Sequence, residues 1–374
     1  MLNYKITKKV VNILFISIFT KKIHLKRKYL LPILLVFQII LVKTLAFFPE
    51  FVENWYSKGL YPKIAFVSRT VFGSISFSIG DVIYYVLIFL LLRWIWNNRT
   101  GFWKNWKTNG LTILSWFSIF YFFFHFLWGM NYYRIPIDEK LNIDKEYTLA
   151  ELEAFTQRMI AKTNAIQLSI VKNDSVAVVV PYSDSELFEL AQNGYANLPE
   201  ELNGFQYQYK SIKASLLSYP LSYMGFGGYL NPFTNEAQVN ILKPKYNTPL
   251  TITHEMAHQT GIGSESECNF IGFIAASKNE DVYFQYAAYS FITRYCLYNL
   301  EKMHKGNSKK FLASINKGVL KNFDENEQFW EKYHTPIDTA FEIFYNNFLK
   351  ANQQQDGLES YSKFVGLMIG YEKK

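Results

Sequence analysis

His254 and His258 stand four residues apart in Thr253-His254-Glu255-Met256-Ala257-His258-Gln259. On a helix such positions share one face, so two imidazoles can converge on a single cation. Glu255 follows the first histidine, where a carboxylate can hold a water beside that cation and take its proton. One zinc ion per chain, two nitrogen ligands, an open position and a base are the minimum equipment for splitting an amide with water at neutral pH.

The third ligand has to come from elsewhere. Gly261 and Gly263 follow the motif, and Gly261 is placed to stop the helix, because a left-handed cap costs glycine least. The next segment, Ser264-Glu265-Ser266-Glu267-Cys268-Asn269-Phe270, reads as the start of a second helix, with Ser264 as N-cap and Glu267 at the capping-box position. Glu267 is the preferred ligand, since Phe270, Ile271 and Ile274 mark the nearby core face; Glu265 is the reserve. Either carboxylate is equally at home as a helix-start acid favoured by the macrodipole.

The elements that must carry this site begin with three apolar runs of spanning length, at 29–48, 77–95 and 111–130. Trp94, Trp96, Trp103, Trp106 and Trp128 cluster near their ends, where amphipathic rings settle at a membrane interface. The net charge of +8 is accounted for by eight lysines and arginines within residues 1–28, and the other 31 basic residues balance the 31 acidic ones. A basic flank before a first span marks the cytoplasmic side of an inner membrane, so three crossings place everything after Met130 outside the cytoplasm. Charge confined to a membrane flank, with no recognition motif, excludes a nucleic-acid reading. Val10 to Thr20 is apolar but too short to span, and it reads as an interfacial segment or the product of an upstream start. Within the spans, Lys43 is close enough to an end to snorkel, and His125 reads as a neutral imidazole bonded to a neighbouring helix.

Composition changes after Tyr132. Residues 132–147 form a polar linker, and 148–374 a mainly helical domain with a small sheet, an α+β arrangement. Thr148-Leu149-Ala150-Glu151 reads as a helix start, residues 175–181 as a strand, 186–193 as a second helix, and 270–276, 283–300, 309–320, 325–333 and 337–349 as later helices. Donors for an oxyanion are sought among Tyr286, Tyr289, Arg294, Tyr295, His304 and His334, with Tyr289 and Arg294 preferred because they follow the ligand segment. Cys268 and Cys296, the two cysteines, are open to a disulfide or to two buried thiols.

Four passages together resemble the uncharacterised bacterial membrane-protein family called domain of unknown function 3810. They are Trp128-Gly129-Met130-Asn131-Tyr132-Tyr133-Arg134, the run from Gly228 to Ala237, the run from His254 to Gly261, and that from Glu265 to Phe270. Cys268 stands where that family usually has alanine. The resemblance covers most of the chain from about Tyr29 and implies a membrane-anchored, zincin-like (gluzincin-type) metallopeptidase, with no substrate attached. In zincins an edge strand ahead of the metal helix holds extended peptide by backbone pairing, and Glu236-Ala237-Gln238-Val239-Asn240 occupies that place here. An ordinary internal strand fits the same alternation.

The resulting expectation is a peptidase seated on the lipid bilayer and acting on a peptide or protein substrate. A non-catalytic metal-binding sensor or scaffold is the alternative, though a structural site has no use for Glu255. An intramembrane protease is disfavoured, because Thr251, Thr253, Gln259 and Ser264 surround the motif. A transporter is disfavoured by the few polar groups within the spans.

Overall fold

The computed structural model describes residues 27–374; the basic flank up to residue 26 and the Val10 to Thr20 segment lie outside the described residues. The chain divides into two compact units, residues 27–41 with 98–122, and residues 42–97 with 123–374. Among the described residues, three helices are long and apolar enough to cross a membrane. They are α1 (Leu30–Leu45, continued from a turn at Arg27–Tyr29), α3 (Ile79–Asn98) and α4 (Trp106–Leu127). Between the first two lie a π-helical stretch, Val52–Leu60, and helix α2 (Tyr61–Gly73). The first unit comprises most of α1 and of α4, whose apolar side chains are largely exposed.

The second unit is mostly helical around a three-stranded sheet. Helix α5 (Leu149–Val171) and helix α6 (Asp184–Ala196) each open on a reciprocal capping box, Thr148 with Glu151 and Ser183 with Glu186. The strands β1 (Ile212–Ala214), β2 (Gly228–Asn231) and β3 (Glu236–Val239) follow. Then come α7 (Thr248–Gln259), α8 (Glu265–Lys278), α9 (Val282–Met303), α10 (Lys317–Tyr333), α11 (Pro336–Ala351) and α12 (Phe364–Lys373). Helix α5 packs along α9, and Leu152, Phe155, Met159, Phe284, Ala288 and Ile292 belong to one buried core with α7 and α8.

Two expectations are corrected here. The valine-rich run at 175–181 forms no strand: the Val178 N–H donates to Asn322 Oδ1 at 3.0 Å, and Asn322 Nδ2 donates to the Val178 carbonyl at 3.1 Å. A side-chain amide supplies both backbone bonds a neighbouring strand would have made. The second concerns β3. Its order in the sheet is β1-β3-β2, parallel to β1 and antiparallel to β2, and all four of its residues are buried. The segment around Glu236 is therefore the central strand and has no free edge.

Burial gives Glu236 another task. Its carboxylate accepts the N–H groups of Ile79 at 3.2 Å and Gly80 at 2.6 Å, the orphan donors that open α3. Asp81 at the same helix start accepts from Ser215 Oγ, the Leu216 N–H and the Tyr229 hydroxyl. The sheet is thus fastened to the start of the second apolar helix by charge-assisted bonds.

Candidate metal centre

Helix α7 carries the motif through the middle of the core. His254, Glu255 and His258 are all buried, and Gly261, at φ +88°, takes the left-handed turn expected of it. A Cβ on Gly261 would also meet the Tyr61 ring at 2.9 Å. Helix α8 crosses α7 closely because Gly272 lets it: a Cβ there would stand 2.9 Å from the His254 backbone nitrogen. Thr253 Oγ1 donates to the Gly272 carbonyl at 2.9 Å across the same contact.

That crossing brings Glu265 to the histidines. Ligand atoms of His254, His258 and Glu265 all lie within 4.8 Å of one another. Glu265 Oε2 is 3.2 Å from His254 Nε2 and 3.5 Å from His258 Nε2. The opposite ring nitrogens are engaged: His254 Nδ1 lies 2.8 Å from Asn269 Oδ1, and His258 Nδ1 lies 2.8 Å from the Ile262 carbonyl. With Nδ1 donating to an oxygen, each Nε2 is the free lone pair, the tautomer a metal ligand needs. Burial works against a charged Glu265, yet His258 and His254, when they carry a proton on Nε2 in place of a cation, hold its carboxyl well below the usual range.

Glu255 lies beside this cluster, and its Oε2 is buried with no hydrogen-bond partner among the described residues. Burial raises its pKa, partly offset by the histidines. A buried acceptor without a donor is costly unless something else occupies the space in front of it. Two imidazoles, one carboxylate and an unpaired carboxylate next to them suit a divalent cation of the zinc kind with a water.

The structure brings Glu265, the reserve candidate, to the histidines, and not the preferred Glu267. Glu267 points away from the histidines, and its Oε1 accepts the Ile137 N–H at 2.9 Å. It forms no capping box either, because Ser264 caps nothing with its side chain and its hydroxyl pairs with Ser266 at 3.0 Å. Burial pushes Glu267 up. The preferred oxyanion donors also stand elsewhere. Tyr289 packs its ring against Phe273, and Arg294 lines a cleft with Ser222, Asn326, Trp330 and His334 that includes none of the cluster residues. Tyr286 donates to Asn322, Tyr295 packs on Phe364, and His334 pairs with Asp338 on the surface. Both cysteines are buried free thiols, and Cys268 Sγ lies 3.2 Å from His258 Nδ1. His125 is buried against the rings of Phe124 and Tyr133.

Two tyrosines that the sequence did not single out complete the centre. Tyr345 on α11 donates to Glu265 Oε1 at 2.8 Å, and its hydroxyl is 3.5 Å from that of Tyr361. Tyr361 lies nearly parallel to the His254 ring, 10° apart in plane. Burial lifts both hydroxyls far above their ordinary pKa, so both remain donors at neutral pH. Lys243, also buried, donates to Asn247 and Thr251, and burial pulls it down to about 7. No spacing rule leads from the motif to any of the three; the amphipathic pattern of α11 was the one available signal for Tyr345.

The far end of α7 shows what the other shared passages do. Its last carbonyls point at donors from the segments next to the apolar helices: Trp128 Nε1 to His258 O at 3.0 Å, Tyr61 Oη to Gln259 O at 2.9 Å, and Arg134 Nη1 to Gly261 O at 2.6 Å. Arg134 in turn holds the Glu53 carboxylate with two bonds, at 2.8 and 2.9 Å. From the sheet side, Gln259 Nε2 donates to the Asn235 carbonyl at 2.6 Å, and Asn235 adopts a φ of +54°. Orphan carbonyls at a helix end need partners, and here the passages around Trp128 and Asn235 fix α7 in place.

A family model described as "Protein of unknown function (DUF3810)" matches residues 56–369. No curated protein and no solved structure matches the chain.

Proposed function

We propose, for a chain that belongs to the DUF3810 family of unknown function, that it is a membrane-anchored, zinc-dependent peptidase whose site faces the extracytoplasmic side. The observation that carries this reading is the buried, unpaired Oε2 of Glu255 beside the His254, His258 and Glu265 cluster. His254, His258 and Glu265 would hold the zinc. Zinc bound there supplies Lewis acidity, which polarises a peptide carbonyl and acidifies a water. Glu255 accepts the water's proton and returns it to the leaving amine, and its raised pKa suits both transfers. The Tyr361 hydroxyl, 3.5 Å from that of Tyr345, would be the donor for charge growing on the carbonyl oxygen, since the single Tyr345 proton is engaged by Glu265 Oε1.

An edge for the substrate remains, moved by one strand. Strand β2 pairs with β3 on one side and with no described strand on the other. At Gly228 a Cβ would come within 2.7 Å of Glu255 Oε1, so only glycine lets the β2 backbone run against the base. An extended peptide laid on that edge by backbone pairing would bring its amide to Glu255.

The test is zinc content and peptide-library hydrolysis by the purified full chain in detergent or nanodiscs. One zinc per chain, retained in Glu255→Gln while cleavage is lost, supports the reading. A folded protein that binds no zinc overturns it. Zinc without cleavage in the unmodified chain would favour a metal-binding sensor or scaffold instead.

A further inference from the structure

Helix α11 shows two apolar sides. One side turns inward: Tyr345 reaches Glu265, and the Phe226 ring lies edge-on to it at 4.7 Å, so the helix roofs the metal cluster. The other side is exposed, with Ile337 61%, Ile343 61% and Phe344 59% accessible. Three large apolar side chains uncovered on one face of a helix call for a partner.

The contacts of the same region with the apolar helices say which partner. Lys43, in the last turn of α1, donates to the carbonyl of Ala351, where α11 ends, at 2.7 Å. Phe348 packs edge-to-face on Phe124 in the last turns of α4, with centroids 6.1 Å apart. On the other flank of the site, Tyr85 of α3 donates to the Leu216 carbonyl at 3.1 Å. Tyr85 is six residues into α3, about 9 Å along its axis. The turn that follows Leu216 exposes Leu216 and Tyr219. Phe47, Phe48, Phe51 and Trp55, just past the end of α1, are exposed as well. Each contact thus fixes an exposed apolar element to the site-bearing end of one of the three spans. An amphipathic helix and a ring of exposed aromatics at span ends are what a membrane interface accommodates.

We propose that the exposed face of α11, together with the Leu216 to Tyr219 turn, is seated in the lipid bilayer interface, so that the roof of the metal cluster is a lipid-bound helix. Access to Glu265 and Glu255 then opens at the membrane surface, and the ligand class that reaches it is a polypeptide segment emerging from the bilayer rather than a freely diffusing peptide. The seating rests on the spans and the exposed face and stands or falls independently of peptide cleavage, while the ligand class rests on the peptidase reading.

The experiment places an environment-sensitive fluorophore on Phe344→Cys, with Ile337→Cys as a second site and Glu342→Cys as the comparison, since Glu342 is exposed on a different side of the helix. Cys268 and Cys296 are buried, and the unmodified chain gives their background. The full chain is reconstituted in anionic vesicles with and without lipids carrying a quencher on the acyl chain. Blue-shifted emission at 344 and 337, lost to the lipid quencher while the label at 342 keeps its emission, is the expected result. Quenching by aqueous iodide instead places the face in water and overturns the proposal. Protection from both quenchers shows a protein partner, such as a second copy, and overturns it as well.

Discussion

Tyr345 donates its hydroxyl to Glu265 Oε1 at 2.8 Å, while Oε2 of the same carboxylate faces both histidines. A ligand carboxylate with one oxygen held by a fixed donor presents the other in one orientation. Tyr345→Phe keeps the ring that packs against Phe226 and Phe348 and removes this bond, together with the 3.5 Å contact to the Tyr361 hydroxyl. The fold is expected to survive, and zinc affinity to fall about 10- to 100-fold, the usual cost of losing such a partner. Competition of the full chain against a chelator of known affinity measures it. Unchanged affinity would show that Glu265 is positioned by α8 alone.

The two glutamates of the ligand segment separate cleanly by substitution. Glu265→Gln removes the charge of the proposed ligand and, if that proposal holds, is expected to abolish stoichiometric zinc binding. Glu267→Gln retains an oxygen for the Ile137 N–H and stands away from the histidines, so zinc content should be unchanged. Metal analysis of both purified variants decides the matter, and loss of zinc from the Glu267 variant with retention in the other would reverse the assignment.

The reason Glu267 looked better in the sequence is instructive about what spacing conveys. A period of four fixes which residues share a face within one helix, so His254, Glu255 and His258 were legible at once. The choice between Glu265 and Glu267 depends on how α8 crosses α7, which Gly272 determines through a close approach that no local pattern announces. The same holds for β3: alternation identified a strand, while its central place in the sheet follows from partners 25 residues upstream at Ile212 and nearby at Gly228. Tyr345 and Tyr361 come from a helix and turn 80 residues or more beyond Glu265, joined to it only by tertiary packing. Apolar length, by contrast, is a one-dimensional property, and the three described helices of spanning length appear within a few residues of the runs that announced them.

Gly272 therefore offers a test of packing against chemistry. Gly272→Ala puts a methyl group 2.9 Å from the His254 nitrogen and 3.0 Å from its Cα, both rigid backbone atoms. Relief requires α8 to move off α7, at a cost of about 1–3 kcal/mol for such overpacking. Because Glu265 rides on α8, zinc affinity should fall together with the thermal midpoint. A variant that loses stability but binds zinc as before would show that the ligand set does not depend on this helix contact.

Glu53 links acid stability to the same centre. Its carboxylate takes two bonds from Arg134 and forms an ion pair with Lys140 at 2.8 Å, and Arg134 also holds the Gly261 carbonyl just past the end of α7. Burial opposes ionisation here, but Arg134 and Lys140 outweigh it and bring the pKa from 4.5 down to about 2. A carboxyl with a lower pKa folded than unfolded stabilises the fold when ionised, fully so above 4.5, and that contribution disappears as the pH falls from 4.5 towards about 2. Glu53→Gln leaves the Arg134 guanidinium, only 8% exposed, without its counter-charge. At neutral pH the variant should be less stable by about 3–5 kcal/mol, the typical result of breaking one side of a buried pair. Below pH 4.5 its unfolding midpoint should converge on that of the unmodified chain. Thermal unfolding in detergent across pH 3 to 7 reads both effects, and a constant offset over that range would mean that the Glu53 charge is not what secures this end of α7.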